Sequence, residues 1–140
     1  MDQVIYYSRS GNTKKLADAI GEALGVKPVE VGTARLDPAA KVVFLGSGRY
    51  GGMPGQEMVK FIEANDFKGR KVAFFGTYWL AGLNKRRETE TTTKALEKKG
   101  AIVLDSYRCP GKFIVFNHSR PNASDLEGAK EFAGKMNKSA

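Results

Sequence analysis

Two stretches constrain this chain more than any others: "KVVFLGSG" at residues 41–48 and "RKVAFFGTYW" at residues 70–79. Each is a short, almost unbroken apolar run rich in valine or phenylalanine. Such runs suit strands buried on both faces, whereas a half-exposed strand alternates apolar and polar residues. A sheet buried on both faces needs helices above and below it.

The remaining sequence supplies them. Val4–Tyr7 reads as a first strand. Thr13–Leu24 puts Leu16, Ile20, Ala23 and Leu24 on one helical face and stops at Gly25, a suitable residue just beyond a helix end. "VKPVEV" is a weaker second strand, and "AIVLDSY" a fifth. Pro54 is expected at the first position of a helix whose stripe is Met58, Phe61 and Ile62. Arg87–Lys99 is a poor helix, with four threonines and little beyond Ala95 and Leu96 to bury. "KFIVF" reads equally as a sixth strand or a packed loop. Ser124 and Glu127 have capping-box spacing ahead of a stripe of Leu126, Ala129, Phe132, Ala133 and Met136. The order predicts an α/β fold with a mostly parallel sheet between helical layers. With 140 residues, no repeat and no linker, one domain over 1–140 is expected.

Composition narrows the function. A single cysteine, Cys109, excludes an internal disulfide and suits a reducing compartment. No apolar run approaches the ~20 residues that span a bilayer, and the N-terminus does not read as a signal peptide, so a cytoplasmic protein is expected. The single histidine, His118, excludes a His-rich metal site. The net charge of +8 fits an anionic cofactor or an acidic partner as well as a merely lysine-rich surface. Nucleic-acid binding is not expected, because no interleaved basic–aromatic motif accompanies the charge.

Ligands of open α/β sheets bind beyond the carboxyl ends of the strands. Three segments follow strands directly and have the composition of a site. The first is Ser8-Arg9-Ser10-Gly11-Asn12-Thr13. A turn into a helix leaves convergent backbone N–H groups, to which Ser8, Ser10 and Thr13 add hydroxyls and Asn12 an amide. This suits a phosphate monoester, although an ordinary N-cap by Ser10 or Asn12 would need one of these groups alone. Walker and dinucleotide glycine patterns are both absent. Lys14 and Lys15 then occupy the first helical turn, the positive end of the helix dipole, where a bound anion would make them favourable. The second segment, Ser47-Gly48-Arg49-Tyr50-Gly51-Gly52, lets backbone approach a flat ligand and offers a ring to stack, or is a flexible loop with a surface tyrosine. The third, Thr77-Tyr78-Trp79, sets two large aromatics beyond a buried strand, for a planar ligand or for packing.

A hydroxyl-rich loop, a glycine–tyrosine loop and an aromatic loop, in this order on a doubly wound sheet, resemble flavodoxin. "YYSRSGNTKKLA" looks like the family's phosphate loop, and "GSGRYGGMPGQEMVKFIE" and "KGRKVAFFGTYW" like its next two strand–loop units. "RCPGKF" and "DLEGAKEFA" are similar to the end of a compact, short-chain flavodoxin domain. The resemblance implies a flavodoxin-like three-layer sandwich with a five-stranded parallel sheet in the order 2-1-3-4-5. It implies FMN, with its phosphate on Ser8, Ser10, Gly11, Asn12 and Thr13 and its ring between the Tyr50 and Tyr78–Trp79 loops. Gly51 falls where flavodoxins commonly present a backbone carbonyl to the reduced flavin N5. The implied function is electron transfer between redox partner proteins by a monomer or weak dimer.

The chain departs from the family in charge, since typical flavodoxins are acidic. Arg49 and the Lys85-Arg86-Arg87 cluster therefore imply a less reducing flavin and a partner with an acidic docking surface. Two alternatives remain open. One is an FMN-dependent NAD(P)H or quinone-type reductase, with Lys85-Arg86-Arg87 holding a nucleotide phosphate. The other is a docking module of a redox enzyme. Cys109 reads as a packed or incidental thiol.

Overall fold

The computed structural model describes residues 1–9, 11–50, 53–78, 85–110 and 121–139, without the side chains of 49–50, 53–54, 78, 85–91 and 110. Its elements are β1 (Gln3–Tyr7), α1 (Asn12–Leu24), β2 (Val29–Glu30), β3 (Val43–Ser47), β4 (Arg49–Tyr50), β5 (Met53–Pro54), α2 (Gln56–Ala64), β6 (Lys71–Tyr78), α3 (Lys85–Lys98), β7 (Ile102–Pro110) and α4 (Ala123–Ser139). Five strands form one sheet in the order β2-β1-β3-β6-β7, and every pairing is parallel. With the small β4–β5 pair set aside, this is the expected order 2-1-3-4-5.

The two apolar runs are central strands for the reason their composition suggests. Successive residues of β3 point to opposite faces, and all of Val43–Ser47 are buried. On one face Val4, Phe44, Ala73 and Phe75 pack against Leu16, Ala17 and Ile20 of α1 and Ala129, Phe132 and Ala133 of α4. On the other face Ile5, Val43, Leu45, Val72 and Phe74 pack against Met58, Phe61 and Ile62 of α2 and Leu96 of α3. Phe75 and Leu45 are essentially inaccessible; truncating either to alanine would cost about 2–5 kcal/mol through lost burial and the cavity left behind.

Helix ends follow local chemistry, with some shifts from expectation. Gly25 adopts φ 70° and closes α1 as a Schellman motif, in which Val26 N–H reaches Gly21 O at 2.9 Å and Gly25 N–H reaches Glu22 O at 3.4 Å. Ala23, expected on the buried stripe, is exposed; Ala17 and Ala19 are buried instead. Pro54 does not open α2. It lies in β5, paired antiparallel with Arg49, and α2 starts at Gln56 after Gly55. A proline has no N–H to lose at a strand edge, so the position tolerates it. The capping box of α4 is formed by Asn122 and Asp125 rather than by Ser124 and Glu127. Asp125 N–H donates to Asn122 Oδ1 at 2.9 Å, and Asn122 N–H donates to Asp125 Oδ2 at 2.8 Å.

β2 is shorter than "VKPVEV" and begins after Pro28. The weak segment before Gly100 is indeed helical, over Lys85–Lys98, with Leu96 and Thr92 buried. β7 runs to Pro110, three residues beyond "AIVLDSY". "KFIVF" lies outside the described residues. Among the described residues no helix is long and apolar enough to cross a membrane.

Candidate functional site

Parallel strands all deliver their carboxyl ends to one edge of the sheet, so the three candidate loops leave from that edge. Tyr7 and Ser47 are register partners at the ends of β1 and β3, and β6 continues beside them to Thr77 and Tyr78. The segments around Ser8–Thr13, Ser47–Gly52 and Thr77–Trp79 are thereby neighbours. Ser10, Gly51, Gly52 and Trp79 fall outside the described residues, and for Arg49, Tyr50 and Tyr78 only the backbone is described.

The first loop closes on itself before the helix starts. Ser8 Oγ accepts the Gly11 N–H at 3.0 Å. Gly11 then takes φ 88°, the left-handed region that costs an L side chain roughly 1–2 kcal/mol. Gly11 has no side chain to cap with, and α1 has no acidic residue in its first turn. Lys15 N–H bonds to Gly11 O at 3.2 Å, so the amides of Asn12, Thr13 and Lys14 precede the first intrahelical bond. Arg9 is exposed, while Asn12 and Thr13 are buried. Lys14 is explained locally: its Nζ pairs with Asp18 Oδ2 at 2.9 Å, one turn on. The hydrogen bond to Asp18 and its negative charge raise the Lys14 pKa above the ordinary value.

Thr13 and Thr77 meet although 64 residues separate them. Their hydroxyl oxygens lie 3.2 Å apart, and both residues are more than nine-tenths buried. Two hydroxyls share one hydrogen bond, so the pair keeps one proton for a further acceptor. This contact fixes the start of α1 to the end of β6. Sequence composition alone marks Thr13 as a hydroxyl of the first loop and places Thr77 only at the head of a separate aromatic loop.

The second loop is a hairpin rather than a featureless glycine run. Arg49 pairs with Pro54 and Tyr50 with Met53, antiparallel. A two-residue connection between such strands favours glycine because hairpin turns use positive φ, a signal present in "YGGM" and missed as such. Its base is held by Ser47, which is buried. Ser47 Oγ donates to Gly48 O at 2.9 Å and accepts the Gly55 N–H at 2.9 Å. Beside it, burial and the hydrogen-bonded carboxylate of Glu57 raise the Tyr7 pKa, with Arg9 opposing.

One residue at this edge was not singled out from sequence. Arg108 Nη1 donates to Ser47 O at 3.3 Å, from two strands away. Cys109, its neighbour, is buried opposite Thr77 and is a packed thiol.

The arrangement offers backbone N–H groups, hydroxyls and a buried amide at one helix start, tied to two further loops. That donor chemistry suits a phosphate monoester. Among the described residues no group of three or more His, Cys, Asp or Glu is placed to hold a metal.

Comparison with known proteins agrees with this fold. An uncharacterized protein of Methanocaldococcus jannaschii is 28% identical over 132 residues, covering 87% of each chain. A flavodoxin from the domain Archaea superposes with TM-score 0.77 at 22% identity, over 99% of this chain and 96% of that one. Oxidised flavodoxin 2 from Bacillus cereus gives 0.75 at 25% identity, over the whole of both chains. The family model for the flavodoxin domain matches residues 3–113, most of the chain. The chain therefore belongs to the flavodoxin family.

Proposed function

We propose that this protein binds FMN at the carboxyl edge of its sheet and carries electrons between redox partner proteins. Family membership supports FMN as the ligand in general terms. The observation that carries the assignment to this edge is the start of α1. It opens with a left-handed Gly11, has no acid in its first turn, and is bordered by Ser8, Asn12 and the buried Thr13–Thr77 pair.

In this reading Ser8, Arg9, Ser10, Gly11, Asn12 and Thr13 surround the phosphate. The donors are neutral hydroxyls, an amide and backbone N–H groups, which bind a dianion without needing a paired cation. Ser47, Gly48, Arg49, Tyr50, Gly51 and Gly52 form one wall of the ring site, and Thr77, Tyr78 and Trp79 the other. These loops exclude water from one side of the ring and set the hydrogen bonds and charge around it. Bound FMN supplies the one- and two-electron redox chemistry, and the protein tunes its potential. The overall charge of +8 favours a reduced, more anionic cofactor and an acidic partner surface.

The test is direct. Purified chain mixed with FMN and passed through a desalting column should emerge yellow, with quenched flavin fluorescence. A colourless eluate at FMN concentrations that load other flavodoxins would refute the proposal. Potentiometric titration of the loaded protein should give a less reducing couple than an acidic family member measured alongside; an equally low couple would remove charge as the tuning element. Absence of steady-state NAD(P)H oxidation would favour a carrier over a reductase.

A further inference from the structure

β7 contains an irregularity whose consequence reaches the hairpin. Val72 is opposite Val103, but Phe74 is opposite Ser106, so β7 accommodates one more residue than β6 across this step. An extra residue in a strand changes which residue faces which side for everything after it. Beyond the bulge Phe75 is opposite Tyr107 and Gly76 is opposite Arg108. Tyr107 consequently packs toward α4, stacked against Phe132, with its hydroxyl donating to Asp125 O at 2.8 Å. Arg108 is directed to the opposite face. Without the bulge Tyr107 would lie opposite Gly76 instead.

Gly76 completes the path. A Cβ placed there would lie 2.1 Å from Ser47 O and 2.2 Å from Arg108 Nη1, so the side chain of Arg108 crosses β6 where β6 has no side chain. The crossing ends on Ser47 O at 3.3 Å. Ser47 is the residue just past the last register pair of β3 with β6, Gly46 with Phe75. Its hydroxyl in turn holds Gly48 O and Gly55 N–H, the two ends of the hairpin.

We propose that Arg108 is a positioning residue: from the outer strand it holds the Ser47 carbonyl across Gly76 and so fixes the base of the hairpin that borders the flavin. The hold itself is a property of the chain, and only its effect on flavin rests on the FMN reading above. The donor is a guanidinium, which strengthens the bond although 3.3 Å is long for one, and it links Ser47 to the outer strand just beyond the last register pair of β3 with β6.

Amide hydrogen exchange on the full chain, with and without FMN, tests the hold. In Arg108→Met, exchange at Gly55 should rise about tenfold, the size expected for one lost charge-assisted hydrogen bond. Amides of Phe44 and Leu45 should be unchanged, and Arg108→Lys should recover part of the Gly55 protection. In the same variants FMN and riboflavin should weaken by the same factor, because the hairpin lies against the ring and not the phosphate. The visible band of bound FMN should shift as well. Unchanged Gly55 exchange in Arg108→Met, or a Lys variant no more protected than the Met variant, would overturn the proposal. Loss of FMN binding with the riboflavin affinity preserved would overturn the hairpin as its target. If the wild type takes up no flavin, the FMN reading fails while Gly55 exchange still decides the hold. Should Arg108→Met not fold, Arg108→Gln, which is shorter and neutral, carries the same comparison.

Discussion

The starts of α1 and α4 solve the same problem in opposite ways. Every helix begins with amides that lack intrahelical acceptors. At α4 the chain supplies its own: Asn122 and Asp125 exchange two hydrogen bonds, and Asp125 places a negative charge in the first turn. At α1 the residue before the helix is Gly11 in a left-handed conformation, no acid follows, and Lys14 and Lys15 occupy the first turn. One start is electrostatically complete within the chain. The other, in the function proposed above, is completed by the phosphate of FMN. Sequence position does not explain the contrast, since both helices pack on the same face of the sheet. Position within the carboxyl edge does: α4 also starts toward that edge, near Tyr107, and ends beside Asp2, but α1 starts directly after β1 and meets the end of β6 in the buried Thr13–Thr77 contact.

The contrast is sharpest when ligand is withdrawn. FMN at about a thousand times its Kd should stabilise the fold by about 4 kcal/mol through linkage, read as a rise in Tm, and riboflavin at equal concentration should give much less. Equal shifts from the two would mean that the α1 start does not hold the phosphate. Next in size, Gly11→Val should cost roughly 1–2 kcal/mol through its positive φ alone, since nothing crowds the position, and should weaken FMN with it. Gly11→Asn, which tolerates the left-handed region, should lie between. Asn122→Ala should cost about 1 kcal/mol in chemical denaturation while leaving FMN affinity unchanged; a loss of FMN affinity there would erase the distinction between the two starts.

Thr13→Ala should weaken FMN more than Lys14→Ala, because it breaks the contact with Thr77 and removes a hydroxyl, whereas Lys14 is already paired with Asp18. The reverse order would point to direct phosphate binding by Lys14. The smallest effect is on pH. The raised Lys14 pKa means that the Lys14–Asp18 pair contributes fully below the ordinary lysine value of 10.5 and is lost as pH rises through the folded value. The stability difference between Lys14→Ala and wild type should therefore be constant through neutral pH, shrink in high salt and vanish in strong alkali.

Much of this was legible in the chain. Two uninterrupted apolar runs announced central strands, and the stripes of α1 and α4 announced their layer, because burial on a regular element leaves a periodic trace. The cluster Ser8–Thr13 reads as a candidate site because it holds more hydrogen-bonding side chains than one cap requires. What was not legible depended on pairings that leave no periodic trace. Pro54 is an acceptable helix opener, and only its pairing with Arg49 makes it a strand residue. Ser124 and Glu127 have the same spacing as Asn122 and Asp125, so spacing alone could not choose between them. Arg108 was invisible because its placement hangs on a bulge in β7 and on a glycine in β6, two facts about register. The Thr13–Thr77 contact likewise required knowing which strand ends lie side by side.

The central claim is that the start of α1 is an anion site filled by the phosphate of FMN. Calorimetric titration of the purified chain with FMN and with riboflavin, side by side, tests it most directly. A phosphate held by two or more charge-assisted hydrogen bonds should make FMN bind at least about a hundredfold more tightly than riboflavin, or roughly 2.8 kcal/mol. Equal affinities, or tight riboflavin binding that inorganic phosphate does not improve, would contradict it.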